Sequence, residues 1–399
     1  MESCEVRAKE VQVMGHSNTI LNQIVRHLPR FRFEQFVREH GGDRRVRDFS
    51  CWKLFLSHIY AQLSGVDSLR DLETSLRSKA RWLYHAGLDR FSRSTMADAG
   101  EKRPAAIFEQ MFKELVRMVQ SKVPGHSFKF KNPLYSLDSS TITLCLSVFS
   151  WAKFRTRKGA LKLHVLLDHR GHLPSALVIT DGKSSDIAAA RRFHFEPDSI
   201  LVVDRGYVDY CWLYQLCLQG VWWVTRLKKR MDFQIVERRP VDRSTGVTSD
   251  WTIRIRGAKA DSISVLLRRV RYIDRETGKA YEFFTNIFHL SAKEIADIYK
   301  ARWDIELFFK WIKQNLKIKS FFGTSENAVR IQVWCALCVY LMVAYLKFLS
   351  KSPFSLSKLL VRIRANLMER VSVVMVLYQE HSRTHHEEVK EQLSLTFEV

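Results

Sequence analysis

The chain has 399 residues, enough for two or three domains and a sizeable core, which excludes a small scaffold that depends on disulfides. Its 64 lysines and arginines exceed its 42 aspartates and glutamates, so the formal net charge is +22 and the pI is near 9.8. The excess is spread along the chain, which favours an extended contact with a polyanion. Nucleic acid fits this pattern better than a membrane surface, and on charge alone a ribosome-bound or heparin-like binder remains an alternative.

The seven cysteines, an odd number without the spacing of a secreted framework, indicate a reducing compartment. Cys335 and Cys338 form a CxxC pair in an apolar helical run without a second pair nearby, which favours buried thiols over a zinc site. That run, Val333 to Leu346, is shorter than the roughly 18 to 20 residues that span a bilayer. Because the chain also starts without a signal-peptide pattern, a cytoplasmic, nucleoid-associated protein without membrane contact is expected.

Residues 18–123 carry apolar side chains at helical spacing, with Arg and Lys dense between them, and predict a helical domain over about 1–125. Within it, the stretch FSRSTMADAGEKRP at 91–104 offers Ser and Thr caps and a basic cluster. This stretch fits a helix-turn-helix-like DNA reader and equally a capped helix of a basic bundle. Pro and Gly in the loop 121–133 mark the boundary of the domain.

The pattern beyond this boundary alternates strands and helices. The predicted elements are a strand at 134–144, a β-hairpin at 161–180, a helix at 184–195, a strand at 199–207, a helix at 207–219, a strand at 221–228, several strands between about 230 and 286, and long helices. This order is typical of the ribonuclease H-like fold. The predicted fold class is therefore α/β, with a helical N-terminal domain, a ribonuclease H-like catalytic domain over 130–350 with an all-β insertion at about 230–286, and a C-terminal helical segment and tail over 351–399.

Two acids interrupt apolar strands of this predicted core, Asp138 in LYSLDSSTI and Asp204 in SILVVDRGY. An unpaired charge in such a place costs several kcal/mol unless a partner such as a metal ion neutralises it. Either acid could instead cap a surface turn. Asp168 and Asp181 lie beside Gly or Arg in turn contexts, where local hydrogen bonding explains an Asp, and are interpreted as structural. Two carboxylates on neighbouring strands could share Mg²⁺, which prefers hard oxygen ligands.

A helix is predicted to begin at the capping box Ser291–Glu294 and to continue as a single helix through residues 299–317. One face carries apolar residues and must be buried, and the adjacent sector of about 80° carries a polar stripe. The members of this stripe are Tyr299, Arg302, Glu306, Lys310, Lys313 and Lys317. A solvated face with a weak Arg302–Glu306 ion pair is one interpretation. The imbalance of one acid among four cations and a tyrosine favours a second interpretation. In it, Glu306 is a third metal ligand and the cations contact phosphates.

These residues carry a resemblance to a known family. The spacing Tyr299-x2-Arg302-x3-Glu306-x6-Lys313 resembles the Tyr-Arg-Glu-Lys signature of the insertion-sequence-four family of DDE transposases. The segments SLDSST and VVDRGY resemble those that hold the two aspartates of that family, and the β-rich insertion before the glutamate is similar as well. The resemblance covers roughly 130–350, and the helical front region is similar to the domain that precedes the catalytic core in many members.

The resemblance implies a cut-and-paste mechanism. Asp138, Asp204 and Glu306 would be catalytic and bind two Mg²⁺ ions, which Mn²⁺ can replace, to nick double-stranded DNA at the element ends. The freed 3′-hydroxyl would form a DNA hairpin, which is reopened and joined to target DNA. Tyr299, Arg302 and Lys313 would hold the end, and two ends would require a synaptic homodimer.

DNA-hairpin formation in this family uses a flipped base stacked on an aromatic residue of the insertion. Tyr281 is the candidate here, with Trp222 and Trp223 as alternatives, and each would otherwise be a core aromatic. Two other functions remain open at this point, a catalytically inactive transposase-derived DNA-binding protein and a structure-selective nuclease of the same fold.

Overall fold

The computed structural model of the chain describes residues 18–88, 90–155, 158–227, 231–257 and 263–378. The outer ends of the predicted N-terminal and C-terminal segments, residues 1–17 and 379–399, lie outside the described residues.

The N-terminal part is helical, as predicted. Its helices are α1 Ile20–Arg26, α2 Arg30–Glu39, α3 Cys51–Ser64, α4 Leu69–Ser78, α5 Ala80–Leu83, α6 Arg93–Lys102 and α7 Ala105–Gln120. Side-chain caps start several of them; Ser92, for example, accepts a hydrogen bond from the N–H of Thr95 at the start of α6. Helix α6 ends at Lys102, because Arg103 precedes Pro104 and the residue before a proline leaves the helical region.

A mixed ten-stranded sheet follows these helices. Its strands are β1 Leu134–Leu144, β2 Lys153–Arg155, β3 Lys158–Asp168, β4 Leu173–Asp181, β5 Ile200–Val203, β6 Trp222–Arg226, β7 Phe233–Arg238, β8 Val247–Ile255, β9 Leu267–Ile273 and β10 Ala280–Thr285. Two helices lie between strands, α8 Asp186–Ala190 and α9 Tyr210–Leu218. The predicted helix at 184–195 is wrong in length, since only five residues form α8 and the chain turns at Arg191.

The order of strands in the sheet is β2-β3-β1-β5-β6-β10-β9-β8-β7, and β4 also pairs with β3. β1 runs parallel to β5, and β5 runs parallel to β6, whereas β3 is antiparallel to both β1 and β4. The strands predicted between about 230 and 286 are present as β7 to β10. They extend the same sheet, because β10 pairs with β6 in antiparallel orientation.

The C-terminal part consists of α10 Ala292–Ala301, α11 Trp303–Asn315, α12 Glu326–Ser350, α13 Leu356–Ala365 and α14 Val373–Tyr378. The capping box at the start of α10 is confirmed, with both the Ser291 and the Glu294 side-chain bonds present. The single predicted helix through 299–317 is wrong, because Arg302 separates α10 from α11. The Arg302 N–H bonds to the Tyr299 carbonyl and the Ile305 N–H to the Arg302 carbonyl, so the chain makes a tighter i to i+3 turn there.

Helix α12 runs through the largest hydrophobic cluster, which it shares with the N-terminal helices, α11, α13 and the β1–β3–β4 side of the sheet. It is long and apolar enough to cross a membrane, but 72% of its most apolar window is buried inside the protein. The predicted core helix is therefore confirmed, although it extends beyond residues 333–346. Cys335 and Cys338 are buried thiols on this helix, as predicted, and burial raises the pKa of both.

Candidate active site

Asp138 and Asp204 are brought side by side by the register of two parallel strands. In the pairing of β1 with β5, Leu134 lies opposite Ile200 and Leu137 lies opposite Val203. The next residue on each strand is an aspartate, Asp138 in the middle of β1 and Asp204 directly after the end of β5. The predicted arrangement of one acid within a strand and a second at the tip of its neighbour is therefore present.

The Asp138 carboxylate lies in a mostly buried position. Burial raises its pKa to about 6, and the negative charges of Glu306 and Asp204 act in the same direction. The Ser139 N–H, which donates to Asp138 Oδ1 at 2.7 Å, and the Arg302 guanidinium oppose this rise. Burial therefore destabilises the ionised carboxylate of Asp138, and a cation beside it would offset that cost.

Asp204 accepts a hydrogen bond from the hydroxyl group of Tyr299, with 3.1 Å between Tyr299 Oη and Asp204 Oδ1. Tyr299 is only 8% exposed, and its ring packs against that of Phe283 with 5.0 Å between centroids. Its burial departs from the predicted exposed polar stripe, but it remains beside Arg302, whose guanidinium lies over the Tyr299 ring at 5.7 Å. Burial raises the pKa of Tyr299 to about 12, so its hydroxyl group remains a donor at neutral pH.

Arg302 joins the third acid to the first. Its Nη2 lies 2.6 Å from Glu306 Oε1, and its Nη1 lies 3.4 Å from Asp138 Oδ2. The arginine is 13% exposed, and its position between α10 and α11 directs the guanidinium toward β1. Glu306, in the first turn of α11, is thus linked to Asp138 through one cation.

Lys313 lies two turns beyond Glu306 on α11, about 10 Å along the helix axis. It lines a cavity of about 190 Å³ with Lys317, Lys319 and Arg364. Burial and the charge of Lys319 lower the pKa of Lys313. The structure therefore separates this member of the four-residue signature from the acids and groups it with other cations.

Tyr281 is a half-buried residue of β10, and its ring lies parallel to that of Phe283, 6.1 Å away. The Arg226 guanidinium lies over the same ring at 5.6 Å. Because Phe283 also contacts Tyr299, Tyr281 is joined to the site by one intervening ring. Trp222 is half-buried, whereas Trp223 is fully buried and has no free face for stacking.

Asp168 and Asp181 have the structural roles that the sequence predicts. Asp168 is fully buried and accepts hydrogen bonds from Arg170 and from the Gln120 amide. Asp181 accepts a hydrogen bond from the N–H of Ser184 within its turn.

The sequence interpretation missed three groups. One is the trio His169, His172 and Asp304, in which Asp304 Oδ2 lies 3.3 Å from the Nδ1 atom of each histidine. Burial alone would raise the pKa of Asp304, but its polar contacts with the two histidines prevail and lower it. The HRGH turn was a visible signal, but nothing in the sequence indicates its partner on α11.

The second missed group is a basic cavity of about 460 Å³ between the N-terminal helices. Its cationic lining residues are Arg45, Arg47, Lys53, Arg90 and Arg103. The predicted basic stretch 91–104 forms one wall of this cavity, through Phe91, Thr95 and Arg103.

The third missed group is a polar network beside Asp138. The hydroxyl group of Ser139 donates to Asp186 Oδ1 at 2.7 Å, and Lys162 Nζ lies 3.2 Å from the same oxygen. This network holds Ser139, the residue that follows Asp138 on β1, in place.

Two family models match the sequence. Residues 129–342 match the transposase DDE domain, and residues 16–89 match a domain of unknown function, DUF4372. A protein named as transposase y4zB, from Sinorhizobium fredii, is 33% identical over 254 residues, which are 62% of this chain and 69% of that protein. A protein named as the transposase of insertion sequence element IS5377, from Geobacillus stearothermophilus, is 30% identical over 275 residues, 68% of this chain and 71% of that protein.

A solved structure is also similar in outline. It is the cryo-EM structure of the piggyBac transposase synaptic complex with hairpin DNA, with a TM-score of 0.42 and 8% sequence identity over 94% of this chain and 84% of that one.

The sequence matches define the class of the protein, because the DDE-domain model covers more than half of the chain, including the strands and helices that carry the three acids. The chain belongs to the transposase DDE-domain family, whose members are enzymes that cleave and transfer DNA. Its homologues include transposases of insertion sequences.

Proposed function

We propose that this chain is a DDE transposase of the insertion-sequence-four type, which binds element ends, cleaves them by Mg²⁺-dependent phosphoryl transfer through a DNA hairpin, and joins them to target DNA. The observation that carries the proposal is the β1–β5 register, which sets Asp138 beside Asp204, while Arg302 links Asp138 to Glu306. These acids are the proposed catalytic residues.

The topology of the sheet supports a ribonuclease H-like core. The order β4-β3-β1-β5-β6, with β3 antiparallel to its neighbours and β1, β5 and β6 parallel to one another, is the order of strands in that fold. The insertion β7 to β10 adds to the edge strand β6. The proposed domains are an end-binding helical domain over 1–125, a catalytic domain over 130–350 and a C-terminal segment over 351–399.

The donor set fits Mg²⁺. Carboxylates are the hard oxygen ligands that this ion prefers, and the raised pKa of Asp138 indicates a carboxylate that lacks full charge compensation. Asp138, Asp204 and Glu306 would hold the ions, and Mn²⁺ could replace them. When bound, a pair of such ions supplies activation of the attacking oxygen and charge stabilisation at the leaving oxygen.

The protein's own side chains would grip and shape the DNA end. Arg302 can exchange a carboxylate for a phosphate, since both accept its paired N–H groups. Tyr299 orients Asp204 through its hydroxyl group. Lys313 and its neighbouring cations offer a backbone contact beyond the acids, and the basic cavity of the N-terminal helices offers a second. Since two ends must be joined, the proposed assembly is a homodimer.

The test uses labelled DNA from the flanks of the gene as element ends, with the purified full chain and Mg²⁺. We expect nicked, hairpin and joined products from the wild type, and a loss of at least about a hundredfold in cleavage for Glu306→Gln with end binding retained. Asp297→Asn is the matched control, because Asp297 is an acid of α10 that pairs with Lys293 and lies outside the site.

Three outcomes would contradict the proposal. Cleavage that survives Glu306→Gln would remove the third acid from the site. Binding without any cleavage by the wild type would indicate an inactive DNA-binding protein. Cleavage without hairpin or joined products would indicate a structure-selective nuclease.

A further inference from the structure

A trio of side chains outside the proposed active site has the composition of a transition-metal centre. His169 and His172 lie in the turn between β3 and β4, and Asp304 lies in the first turn of α11. Among the described residues, the nitrogen and oxygen donor atoms of these three side chains all lie within 4.8 Å of one another. We infer that His169, His172 and Asp304 bind a zinc-type ion, at a site separate from the three acids.

The two distances from Asp304 to the histidines fit the edges of a tetrahedron. Asp304 Oδ2 lies 3.3 Å from His169 Nδ1 and 3.3 Å from His172 Nδ1. Metal–ligand bonds of about 2.0–2.2 Å place tetrahedral ligands roughly 3.3–3.6 Å apart. A direct N–H···O hydrogen bond is usually shorter, at about 2.9–3.0 Å. The spacing therefore suits three ligands around one ion better than two direct hydrogen bonds.

The donor chemistry selects the class of metal. Two imidazoles and one carboxylate suit zinc and similar divalent transition metals, whereas Mg²⁺ takes oxygen ligands almost throughout. Three protein ligands leave a fourth position for water. The ligands also differ in access, since the His169 side chain is 3% exposed and that of His172 is 57% exposed. An ion can therefore enter from the solvent side, where His172 lies.

A further contact holds the buried ligand in place. His169 Nε2 lies 2.8 Å from the hydroxyl group of Ser136, which leaves Nδ1 directed toward Asp304. A hydrogen bond at the second ring nitrogen is the usual support of a metal-bound histidine. If Nε2 donates this bond, Nδ1 presents a lone pair toward the carboxylate, and an ion between them removes the repulsion.

The location gives this site a positioning role. Ser136 precedes Asp138 by two residues on β1, and Asp304 precedes Glu306 by two residues on α11. An ion at the trio would tie the β3–β4 turn to both elements that carry these acids. It would act through their spacing and would not touch the DNA.

The test is a titration of the chelator-treated full chain with Co²⁺ and then Zn²⁺, in excess Mg²⁺. We expect the visible absorption bands of four-coordinate Co²⁺, their displacement by Zn²⁺, and an increase in Tm with Zn²⁺. His172→Ala should weaken Co²⁺ binding at least about tenfold and abolish the increase in Tm. Because His172 is exposed, this variant should fold, and Asp304→Asn provides a second ligand variant.

His194→Ala is the matched control, since His194 is an exposed histidine outside the trio and should leave binding unchanged. Glu306→Gln should also retain the Co²⁺ bands, which separates this site from the acids. The inference is overturned if the wild type gives only the spectrum of hydrated Co²⁺, if His172→Ala binds as tightly as the wild type, or if Glu306→Gln loses the bands. These results do not depend on DNA cleavage, so they stand apart from the proposed function.

Discussion

Arg302 and Glu306 share a hydrogen bond of 2.6 Å between Nη2 and Oε1, and the same guanidinium also reaches Asp138. A single positive charge therefore lies between two of the three acids. In the absence of a divalent cation it offsets part of their repulsion. Under the proposed function, a metal ion between these acids would displace the guanidinium, which could then bind a phosphate of the DNA.

The first prediction concerns this exchange. Arg302→Gln should lower the free energy of unfolding of the metal-free protein by about 1–2 kcal/mol, because the half-buried carboxylates of Asp138 and Glu306, partly screened by solvent, lose a hydrogen-bonding cation. The same change should tighten Mg²⁺ binding, since no guanidinium has to be displaced, while cleavage of element ends falls. Urea unfolding with and without Mg²⁺ measures the first two effects, through the stabilisation that the bound ion adds.

The control for this variant is Arg330→Gln. Arg330 pairs with Glu326 on α12 at the same i, i+4 spacing, but it lies away from the acids. Arg330→Gln should lower the free energy of unfolding by about 0.3–0.5 kcal/mol and leave Mg²⁺ binding unchanged. Weaker Mg²⁺ binding by Arg302→Gln would indicate that the arginine supports the metal site and does not compete with it.

The second prediction concerns pH. The pKa of Asp138 rises on folding from 3.8 to about 6, so between these values the folded protein binds more protons than the unfolded chain. The contribution of this group to stability is therefore greatest below pH 4 and is lost as the pH rises through about 6. Asparagine does not titrate, so Asp138→Asn removes this pH-dependent loss. Without metal, the free energy of unfolding of the variant should exceed that of the wild type by about 1–3 kcal/mol above pH 7.

Chemical unfolding at a series of pH values from 4 to 8 measures this effect. The advantage of Asp138→Asn over the wild type should shrink as the pH falls from 7 to 4. With Mg²⁺ present at pH 8, the order should reverse, because only the wild type retains the carboxylate that the ion would bind. A pH-independent difference would show that the Asp138 carboxyl does not lie in the desolvated position described here.

Asp138 and Asp204 can be predicted as site residues, because an acid within an apolar strand has few partners that could neutralise its charge. Asp138 and Asp204 each interrupt a run of apolar residues, and a charge in such a run is costly without a partner. The alternation of strands and helices predicts the elements along the chain. The β1–β5 register is known only from the structure, where each acid comes directly after the last residue that these two strands pair with each other.

The geometry around Arg302 was not predictable in the same way. A helical wheel assumes 3.6 residues per turn, and a local i to i+3 turn leaves no mark in composition. Nor does the wheel show that Tyr299, which lies beside Arg302, is buried against Phe283 of β10, because that contact forms only through tertiary packing. Asp304 was missed for another reason, because its partners His169 and His172 are more than a hundred residues away along the chain and meet it only through tertiary packing.

The third prediction separates two lysines of α11. Lys313→Ala should weaken DNA binding by a similar factor for different sequences and should lower the slope of log affinity against log salt by about 1, as expected for the loss of one phosphate contact. Lys310→Ala is the matched control, since Lys310 is exposed on the same helix and does not line the cavity with Lys317 and Arg364. Fluorescence anisotropy at several salt concentrations measures both. Equal slopes for the two variants would remove Lys313 from the proposed DNA contact.

The fourth prediction concerns Tyr281. If a flipped base stacks on its ring, Tyr281→Ala should leave the first nick intact and lower the yield of DNA hairpin by about tenfold or more, because base–aromatic stacking is worth about 1–3 kcal/mol. Tyr281→Phe keeps the ring and should retain the hairpin. Trp222→Ala tests the other half-buried aromatic, and its variant should behave like the wild type.

The ratio of hairpin to nicked product on denaturing gels is the decisive measurement, because it does not depend on how much protein is active. Arg226 lies over the Tyr281 ring at 5.6 Å, so a base that stacks there must displace the guanidinium or lie on the opposite face. Arg226→Gln should therefore change the ratio less than Tyr281→Ala. An unchanged ratio in Tyr281→Ala, with a loss in Trp222→Ala, would transfer the stacking role to Trp222.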